Sequence, residues 1–341
     1  MSLDKKIRVL VVDDSRLFRE VLSRGINSDP NIEVVATASD PFEARDKILE
    51  FSPHVMTCDV EMPKMNGIEF IRRLLPQYVI PVIVVSTVSE AVFDAMDAGA
   101  VDFVTKPDIQ SPKAVEELII DLIAKIKIAA SAKVSIRPNI SISNNKTSNN
   151  IIDSNKVIAI GASTGGTEAI YNILSRLPST VPGIVIVQHI PAVFSNMFAQ
   201  RLNSTTNLSV KEAETGDVLE QGKVLIAPGN YHMRIKKLGS LYKVECFQGE
   251  KVNGHCPSVD VLFESVAKEC GSRAVGIILT GMGYDGAKGL LSMRRQGART
   301  IGQDEKSSVV YGMPRVAYNI GAVERQTSLE RIPDALLSML R

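Results

Sequence analysis

Residues 157–166 read Val157-Ile158-Ala159-Ile160-Gly161-Ala162-Ser163-Thr164-Gly165-Gly166, and a segment with helical apolar spacing follows them up to residue 173. A short β-branched run, a glycine turn and a helical pattern in this order predict a buried strand that leads into a helix. The turn holds Ser163 in a Gly-x-Ser-x-Gly pattern, in which the glycines leave room for a reacting carbonyl and the helix start offers N–H groups to negative charge. We interpret Ser163 as a nucleophile. A nucleotide phosphate or a plain tight corner also fits this turn.

Length and composition set broad limits on the protein class. A chain of 341 residues exceeds what one core usually holds, so two domains are expected. The formal net charge of +1 gives no overall attraction to nucleic acid or membranes. The cysteines form no Cys-x-x-Cys pair, and the chain has neither an apolar signal region nor a run of about 20 apolar residues. We expect a cytoplasmic monomer with reduced thiols, without nucleic-acid partners or membrane insertion.

The first half alternates strand-like and helical segments. The predicted strands are residues 7–12, 33–38, 54–58, 82–85 and 102–105. Five such alternations predict a flavodoxin-like, doubly wound parallel sheet, whose ligand site lies at the carboxyl ends of its strands. A last amphipathic helix begins at Ser111-Pro112 and closes this domain, which we assign to residues 1–128.

Charged side chains follow these strands where each one ends. Asp13 and Asp14 follow the first strand, Asp59 follows the third, and Lys106 follows the fifth. Three carboxylates at one edge repel one another unless a cation lies among them, and Mg²⁺ suits such oxygen ligands. A carboxylate of this kind can accept a phosphoryl group while the metal and the lysine neutralise its oxygens. Taken singly, an Asp at a strand end also fits a helix cap.

With Ser86 after the fourth strand, this set resembles the receiver domain of two-component response regulators over residues 7–126. The resemblance implies that Asp59 is the phosphoacceptor and that Ser86 and Lys106 respond to the phosphoryl group. It implies as Mg²⁺ ligands Asp13, Asp14, Asp59 and the backbone carbonyl of Glu61. The switch aromatic of that family falls on Phe103, where tyrosine is frequent, so no hydroxyl can take part in the switch.

Residues 129–155 change to Ser, Asn, Lys and Ile without a period, which predicts a flexible interdomain linker. We assign the remainder, residues 156–341, to a larger doubly wound α/β domain. Its next predicted strand, residues 183–187, ends at Gln188-His189, beside the Ser163 turn at the carboxyl edge of a parallel sheet. His189 is therefore the leading general base. His54 belongs to the other domain, His232 falls in an alternating stretch where a packed histidine is expected, and His255 is a candidate for substrate contact.

A carboxylate should orient this histidine and stabilise its positive charge. The strand of residues 274–280 runs into Gly281-Met282-Gly283-Tyr284-Asp285-Gly286, which makes Asp285 the candidate. A plain Asp-Gly turn remains an alternative. Backbone N–H groups of Thr164 and Met282 border the two turns and are candidates for an oxyanion hole. The order Ser, His, Asp differs from the Ser, Asp, His order of α/β-hydrolases, so another scaffold is expected.

Four phrases of this half, at residues 161–166, 188–189, 257–260 and 280–286, closely resemble the protein-glutamate methylesterase of bacterial chemotaxis. The resemblance covers residues 156–341. It implies that Ser163 attacks the γ-carbonyl of a glutamate methyl ester on a methyl-accepting chemoreceptor, and that receptor glutamines are deamidated. It also implies no cofactor in the esterase site, the chemotaxis histidine kinase as phosphodonor, and an unphosphorylated receiver that covers the esterase site.

Two other functions remain as alternatives for this half of the chain. A nucleotide-binding domain should carry an acidic residue about 20 residues after its glycine turn, where this chain has Val181-Pro182-Gly183. A DNA-binding domain is usually small and basic with a recognition helix, whereas this half is long, strand-rich and punctuated by glycines.

Overall fold

The computed structural model describes residues 6–87, 91–107, 110–132, 153 and 155–341. The chain divides into two compact units, residues 1–140 and 141–341. Most of the predicted linker, residues 129–155, lies outside the described residues. Within the described ranges, no helix combines the length and the apolar character that crossing a membrane requires.

The N-terminal unit is a parallel sheet flanked by helices. Its strands are β1 (Ile7–Val12), β2 (Ile32–Ala38), β3 (Val55–Asp59), β4 (Val82–Ser86) and β5 (Asp102–Thr105), in the order β2-β1-β3-β4-β5. Its helices are α1 (Arg16–Ile26), α2 (Pro41–Phe51), α3 (Gly67–Leu74), α4 (Ala91–Asp97) and α5 (Pro112–Ala129). The predicted five-stranded doubly wound sheet is confirmed. The strand order reverses between β1 and β3, so a crevice opens where these strands end.

Local sequence explains why these elements begin where they do. Strands β3 and β4 are rich in β-branched residues and are buried at every position, as expected for central parallel strands. The Asp40 side chain accepts the N–H groups of Phe42 and Glu43 at the start of α2, and Pro41 occupies the first turn. Ser111 and Pro112 open α5 in the same way. Because proline lacks an N–H, it fits a first turn whose N–H groups have no helical partner.

The C-terminal unit is a larger doubly wound domain. Its strands are β6 (Val157–Ala162), β7 (Ile184–Gln188), β8 (Ser209–Glu212), β9 (Lys223–Ile226), β10 (His232–Leu238), β11 (Leu241–Phe247), β12 (Ala274–Ile278), β13 (Arg299–Gln303) and β14 (Arg325–Thr327). Seven form a parallel sheet in the order β14-β13-β12-β6-β7-β9-β8, and β10 pairs with β11 as an antiparallel hairpin. The helices are α6 (Gly166–Leu174), α7 (Ala192–Thr205), α8 (Val259–Cys270), α9 (Ala287–Arg295), α10 (Met313–Asn319) and α11 (Ile332–Met339).

The central strand β6 determines where polar residues meet. It pairs in parallel with β7 on one side and with β12 on the other, so its residues Val157–Ala162 are all buried. The register sets Ala162 opposite Gln188 and Gly161 opposite Ile278. The residues that follow these strands therefore leave the sheet at one edge, where the strand order reverses and a doubly wound sheet binds its ligand.

Candidate functional site

The Ser163 turn is tight because Gly165 and Gly166 have no side chains, so neighbouring side chains pack directly against their backbone. Gly165 has φ 75°, a left-handed conformation that favours glycine, and the Gly166 N–H donates to the Ser163 carbonyl at 2.7 Å. A Cβ on Gly166 would lie 2.1 Å from the Gln188 Oε1, and one on Gly165 would lie 2.7 Å from the Val309 side chain. The protein itself fills the space beside both glycines, which argues against a turn that cradles a phosphate.

Gln188 joins the Ser163 turn to His189. Its Nε2 donates to the Ser163 carbonyl at 2.9 Å and to the His189 carbonyl at 3.0 Å. The His189 N–H donates in turn to the carbonyl of Ala162 at 3.0 Å. Because Ala162 and Gln188 are register partners, Ser163 and His189 occupy the next positions on strands about 4.8 Å apart. The structure thus places the predicted nucleophile and base side by side.

His189 contacts Asp285 through one ring nitrogen only. The His189 Nε2 lies 2.9 Å from the Asp285 Oδ2. The other nitrogen, Nδ1, is buried and has no hydrogen-bond partner among the described residues. The hydrogen bond between Ser163 and His189 is therefore not formed here. Since an ionised carboxylate only accepts, the proton of neutral His189 lies on Nε2, and Nδ1 carries the free lone pair. Such bonds often form only when substrate binds.

The Asp285 carboxylate accepts hydrogen bonds on both oxygens. Its Oδ1 accepts from the Asn253 Nδ2 at 2.8 Å and the Ser258 hydroxyl at 2.8 Å, and its Oδ2 accepts from the Val259 N–H at 2.7 Å. Burial alone would raise its pKa, but the hydrogen bonds from His189 and Asn253 outweigh it and hold the pKa well below its usual range. Asp285 is therefore an anion, and it also faces the positive N-terminus of α8.

Asp260 forms the reciprocal contact. It lies in the first turn of α8, and its Oδ1 accepts the N–H of Gly289 in the first turn of α9 at 2.7 Å. The Asp260 N–H donates to the Asp285 Oδ1 at 3.2 Å. The Asn253 Nδ2 bridges both carboxylates, because it also donates to the Asp260 Oδ2 at 2.7 Å. Asp285, which precedes α9, thus caps the N-terminus of α8, and Asp260, which lies in α8, caps the N-terminus of α9. These two contacts fix the position of Asp285.

The oxyanion-hole candidates border Ser163. The Ser163 N–H is not available, because it donates to the Thr280 carbonyl at 3.0 Å. In the part of the chain that the structure describes, the Met282 N–H has no acceptor. Thr164 is buried, and its carbonyl accepts the Thr280 hydroxyl at 3.0 Å. A Cβ on Gly281 would lie 2.6 Å from the Ser163 Cβ, so the backbone before Met282 packs directly against the serine.

The histidines differ in surroundings. His255 stacks on His189, with ring centroids 3.7 Å apart and an angle of 11° between the planes. Burial, followed by the charge of His189, lowers the pKa of His255 to about 4. His232 is a packed histidine, as expected: its Nε2 lies 2.9 Å from the Glu250 carbonyl, and its Nδ1 accepts the Ser258 N–H at 3.2 Å.

In the N-terminal unit, the predicted carboxylates converge. Asp13, Asp14 and Asp59 each bring an oxygen within 4.8 Å of the others. The Lys106 Nζ donates to the Asp13 Oδ2 and the Asp59 Oδ2, both at 2.7 Å. Burial raises the pKa of Asp13 in spite of Lys106. Burial would lower the pKa of Lys106, but its two carboxylate partners raise it. Three acidic oxygens against one ammonium suit a hard divalent cation such as Mg²⁺.

The other predicted residues lie around this cluster. The Ser86 hydroxyl is buried and has no partner within the described ranges, and its carbonyl accepts the Lys106 N–H at 2.7 Å. The Glu61 N–H donates to the Asp59 Oδ1 at 3.3 Å. Phe103 is buried, and the Lys125 Nζ lies 5.3 Å from its ring centroid. An orphaned buried hydroxyl beside Lys106 fits an incoming phosphoryl oxygen.

Sequence reasoning assigned no role to Gln188, Asn253, Ser258 or Asp260. Asn253 lies in a loop, and Ser258 and Asp260 lie at the start of α8. Because none of the three follows a predicted strand, the search for polar residues at strand ends could not find them. The Asn253-Gly254 pair is a turn signal, but it does not indicate which side chains the turn positions.

Comparisons with known proteins cover both units. A family model for CheB methylesterase matches residues 158–336, and one for the response regulator receiver domain matches residues 9–117. A protein-glutamate methylesterase/protein-glutamine glutaminase 2 of Syntrophomonas wolfei is 58% identical over 336 residues, 98% of this chain and 98% of its own. A relative of the same activity from Salmonella typhi is 45% identical over 342 residues, 98% of this chain and 97% of its own. The CheB methylesterase catalytic domain of Thermotoga maritima matches with a TM-score of 0.53 and 36% identity, over 54% of this chain and 98% of that domain.

Proposed function

Because the chain belongs to the CheB methylesterase family and carries a response regulator receiver domain, we propose that it removes methyl esters from chemoreceptor glutamates under the control of its receiver. As a member of this family the protein is a carboxylic ester hydrolase, a protein-glutamate methylesterase/protein-glutamine glutaminase. The chemoreceptor as substrate, the residues that act and the phosphorylation control are the parts that we propose.

The proposed reaction begins at Ser163. Its hydroxyl oxygen attacks the γ-carbonyl carbon of the ester while the His189 Nδ1 takes the hydroxyl proton. His189 returns this proton to the methoxide oxygen, so methanol leaves and an acyl ester remains on Ser163. Water then attacks the acyl carbon, again with His189 as base, and the glutamate carboxylate is released. With a glutamine substrate the leaving group is ammonia.

One observation carries this assignment. The His189 Nε2 contacts Asp285 at 2.9 Å, and its buried Nδ1 has no partner among the described residues, which leaves Nδ1 to accept the proton of Ser163, the residue at the neighbouring position of the adjacent strand. Asp285 fixes the tautomer, and its charge stabilises the imidazolium that forms on His189. The backbone N–H groups of Met282 and Thr164 are the proposed donors to the oxyanion. Two observations support this role: the Met282 N–H has no acceptor among the residues that the structure describes, and Gly281 packs closely on Ser163.

Replacement of the nucleophile tests the chemistry. We expect Ser163→Ala to lower methanol release from methylated receptor by about a thousandfold or more, because the variant lacks the hydroxyl on which the acyl ester is proposed to form. Ser204→Ala is the matched control, since Ser204 is an exposed serine on α7. Methanol release from Ser163→Ala at the rate of the control would contradict the assignment.

Control by phosphorylation is proposed at Asp59. The cluster of Asp13, Asp14 and Asp59 would hold Mg²⁺, which neutralises phosphate oxygens when bound, and Lys106 supplies a second positive charge. The unpaired Ser86 hydroxyl would donate to a phosphoryl oxygen on Asp59. A phosphoryl group adds charge and acceptor oxygens to this edge, and that can change how the domain packs on a neighbour. The proposed phosphodonor is the chemotaxis histidine kinase, in the cytoplasm.

A small-molecule phosphodonor tests this control on the full chain. We expect faster methanol release when the donor and Mg²⁺ are added together, and no acceleration in Asp59→Asn. Acceleration that survives in Asp59→Asn would locate the effect elsewhere. A wild-type rate unchanged by confirmed phosphorylation would show that the receiver does not regulate the esterase.

A further inference from the structure

A two-residue turn lies beside the proposed triad. The Val252 N–H donates to the His255 carbonyl and the His255 N–H donates to the Val252 carbonyl, both at 3.0 Å. Between them, Asn253 has φ 53° and Gly254 has φ 85°, so both central residues are left-handed. This is the geometry of a type I′ turn, for which Asn-Gly is the favoured pair. We call it the 252–255 turn.

The 252–255 turn brings two side chains onto two triad members. The Asn253 Nδ2 donates to the Asp285 Oδ1 at 2.8 Å and to the Asp260 Oδ2 at 2.7 Å. The His255 ring lies 3.7 Å from the His189 ring and within 11° of parallel. Because the turn has only two central residues and closes with two hydrogen bonds, these side chains are held in fixed relation to each other. The carboxylate and the imidazole are therefore positioned from one rigid backbone unit.

We propose that the 252–255 turn is a positioning element of the esterase, in which His255 holds the His189 ring in plane and Asn253 holds the Asp285 carboxylate against it. This role rests on the proposed function, since it assumes that His189 is the base. The stacked face of His255 lies on His189 and is therefore not free for substrate. His255 acts through His189, and Asn253 acts through Asp285.

The chemistry of His255 suits this position. The titratable groups that face it are His189, Asp285 and Lys251, and burial is the main cause that lowers the pKa of His255 to about 4, so its ring is neutral at pH 7. A neutral ring presents a π-face to the imidazolium that forms on His189, whereas a charged ring would repel it. The stack also prevents the His189 ring from rotating away from Ser163. Both effects act when the positive charge develops, so they affect turnover more than substrate binding.

Asn253 links the two buried carboxylates. Its amide is the single side-chain donor that contacts both Asp285 and Asp260 among the described residues. Without the Asn253 amide, the Asp285 Oδ1 still accepts hydrogen bonds from the Ser258 hydroxyl and the Asp260 N–H. The Asp285 and Asp260 carboxylates, however, lose the amide dipole that lies between their two negative charges. Asn253→Gly removes the amide and still tolerates the positive φ, so it separates the contact from backbone strain.

Kinetics of the full chain test the proposal first. We expect His255→Ala to lower kcat for methanol release about tenfold with KM within twofold, because one stacking contact acts on the imidazolium. His255→Phe keeps a neutral ring and should recover most of kcat. Asn253→Gly should lower kcat to a similar extent, and Leu238→Ala, an exposed residue on the β10–β11 hairpin, is the control. An equal loss in His255→Phe and His255→Ala, or a loss confined to KM, would overturn the positioning role.

Nuclear magnetic resonance gives a readout that does not depend on activity. The chain has four histidines, so the four Hε1 resonances can be assigned by single substitutions. We expect the His189 resonance to be shifted upfield by the ring current of His255, to move downfield in His255→Ala, and to move back in His255→Phe. We also expect His255 to titrate near pH 4. A His189 resonance insensitive to His255→Ala, or a His255 that titrates near 6.5, would overturn the stack. If Ser163→Ala retained full activity while these shifts were found, the proposed function would fail and the stacking would stand.

Discussion

Replacing Asp285 by asparagine removes one charge and exchanges one acceptor oxygen for a donor. The carboxylate accepts bonds from Asn253 and Asp260 on Oδ1 and from Val259 and His189 on Oδ2. If the new NH₂ group lay at the Oδ1 position, the Asn253 amide and the Asp260 N–H would both lose their acceptor. At the Oδ2 position only the Val259 N–H would lose its acceptor, because His189 can change its tautomer and accept from the amide, so we expect this second arrangement. Each buried donor left without an acceptor costs about 1–3 kcal/mol. We therefore expect Asp285→Asn to lower the free energy of unfolding of the C-terminal unit by about 1–3 kcal/mol.

The same change alters the tautomer of His189. With the amide NH₂ at the Oδ2 position, the His189 Nε2–H has no acceptor, so the proton moves to Nδ1 and the lone pair to Nε2. The His189 Nδ1, the proposed acceptor of the Ser163 proton, then already carries a proton and cannot accept another. We expect kcat to fall by about 10⁴-fold, the loss found when the same substitution is made in a Ser-His-Asp triad elsewhere.

Two measurements separate these effects. Urea unfolding of the full chain, followed by circular dichroism, gives the loss of stability, and methanol release at a temperature where the variant stays folded gives kcat. Leu238→Ala should leave both unchanged. If Asp285→Asn proves as stable as the wild-type protein, the five hydrogen bonds to the carboxylate do not hold α8 and the argument from capping is refuted. If it is destabilised but fully active, Asp285 does not set the tautomer.

Three further predictions follow from individual contacts. Gly166→Ala should lower kcat about tenfold in the methanol assay, because the new methyl group would lie 2.1 Å from Oε1 of Gln188 and displace the amide that joins the two turns; wild-type activity would show that the amide can move without effect. Lys106→Met should destabilise the N-terminal unit by about 3 kcal/mol in urea unfolding, because two buried carboxylates lose their cation, and Mg²⁺ should restore part of the loss; no loss would mean that water already compensates the charges. Glu245→Gln should lower the free energy of unfolding by less than about 1 kcal/mol at pH 7, because Glu245 is a partly exposed ion-pair partner of Arg234. Hydrogen bonds from Arg234 and from Lys236 lower the pKa of Glu245 to about 2. Since the folded pKa lies below the unfolded value of 4.5, this stabilisation is complete above pH 4.5 and lost as the pH falls toward 2, so the urea midpoints of the two proteins should converge over that range.

The strands were predictable because parallel strands buried on both faces are continuous β-branched runs that end in polar residues. Residues 54–58 were predicted as a strand, and the structure has it at Val55–Asp59. His54 lies just outside, where its N–H donates to the Arg8 carbonyl. Asp59 is thus the last residue of β3, and the shift by one residue leaves its position at the carboxyl edge unchanged. Strand ends alone brought Ser163, His189 and Asp285 to one edge.

The supporting contacts were not predictable from the same signal. Asn253 reaches Asp285 across 32 positions of sequence, and His255 reaches His189 across 66. Neither residue belongs to a strand, and the periodicity of a loop carries no information on what its side chains contact. A turn signal predicts backbone shape but not the neighbours of that turn. The structure was needed to show that Asn253 contacts Asp285 and that His255 contacts His189, two members of the proposed triad.

The number of donors around Asp285 also decides what this carboxylate does in the reaction. Four donors other than His189 already satisfy its two oxygens. Burial would raise its pKa, but the hydrogen bonds from His189, Asn253 and Ser258 hold the pKa well below the usual range. A carboxylate stabilised in this way is a weak base, so it does not take the proton from the His189 Nε2. These donors are fixed before the reaction begins, so no reorganisation is needed when positive charge develops on the imidazole. In the proposed mechanism Asp285 therefore orients His189 and stabilises the imidazolium as a fixed charge. The proton that leaves Ser163 would then travel only between the Ser163 hydroxyl, the His189 Nδ1 and the leaving group.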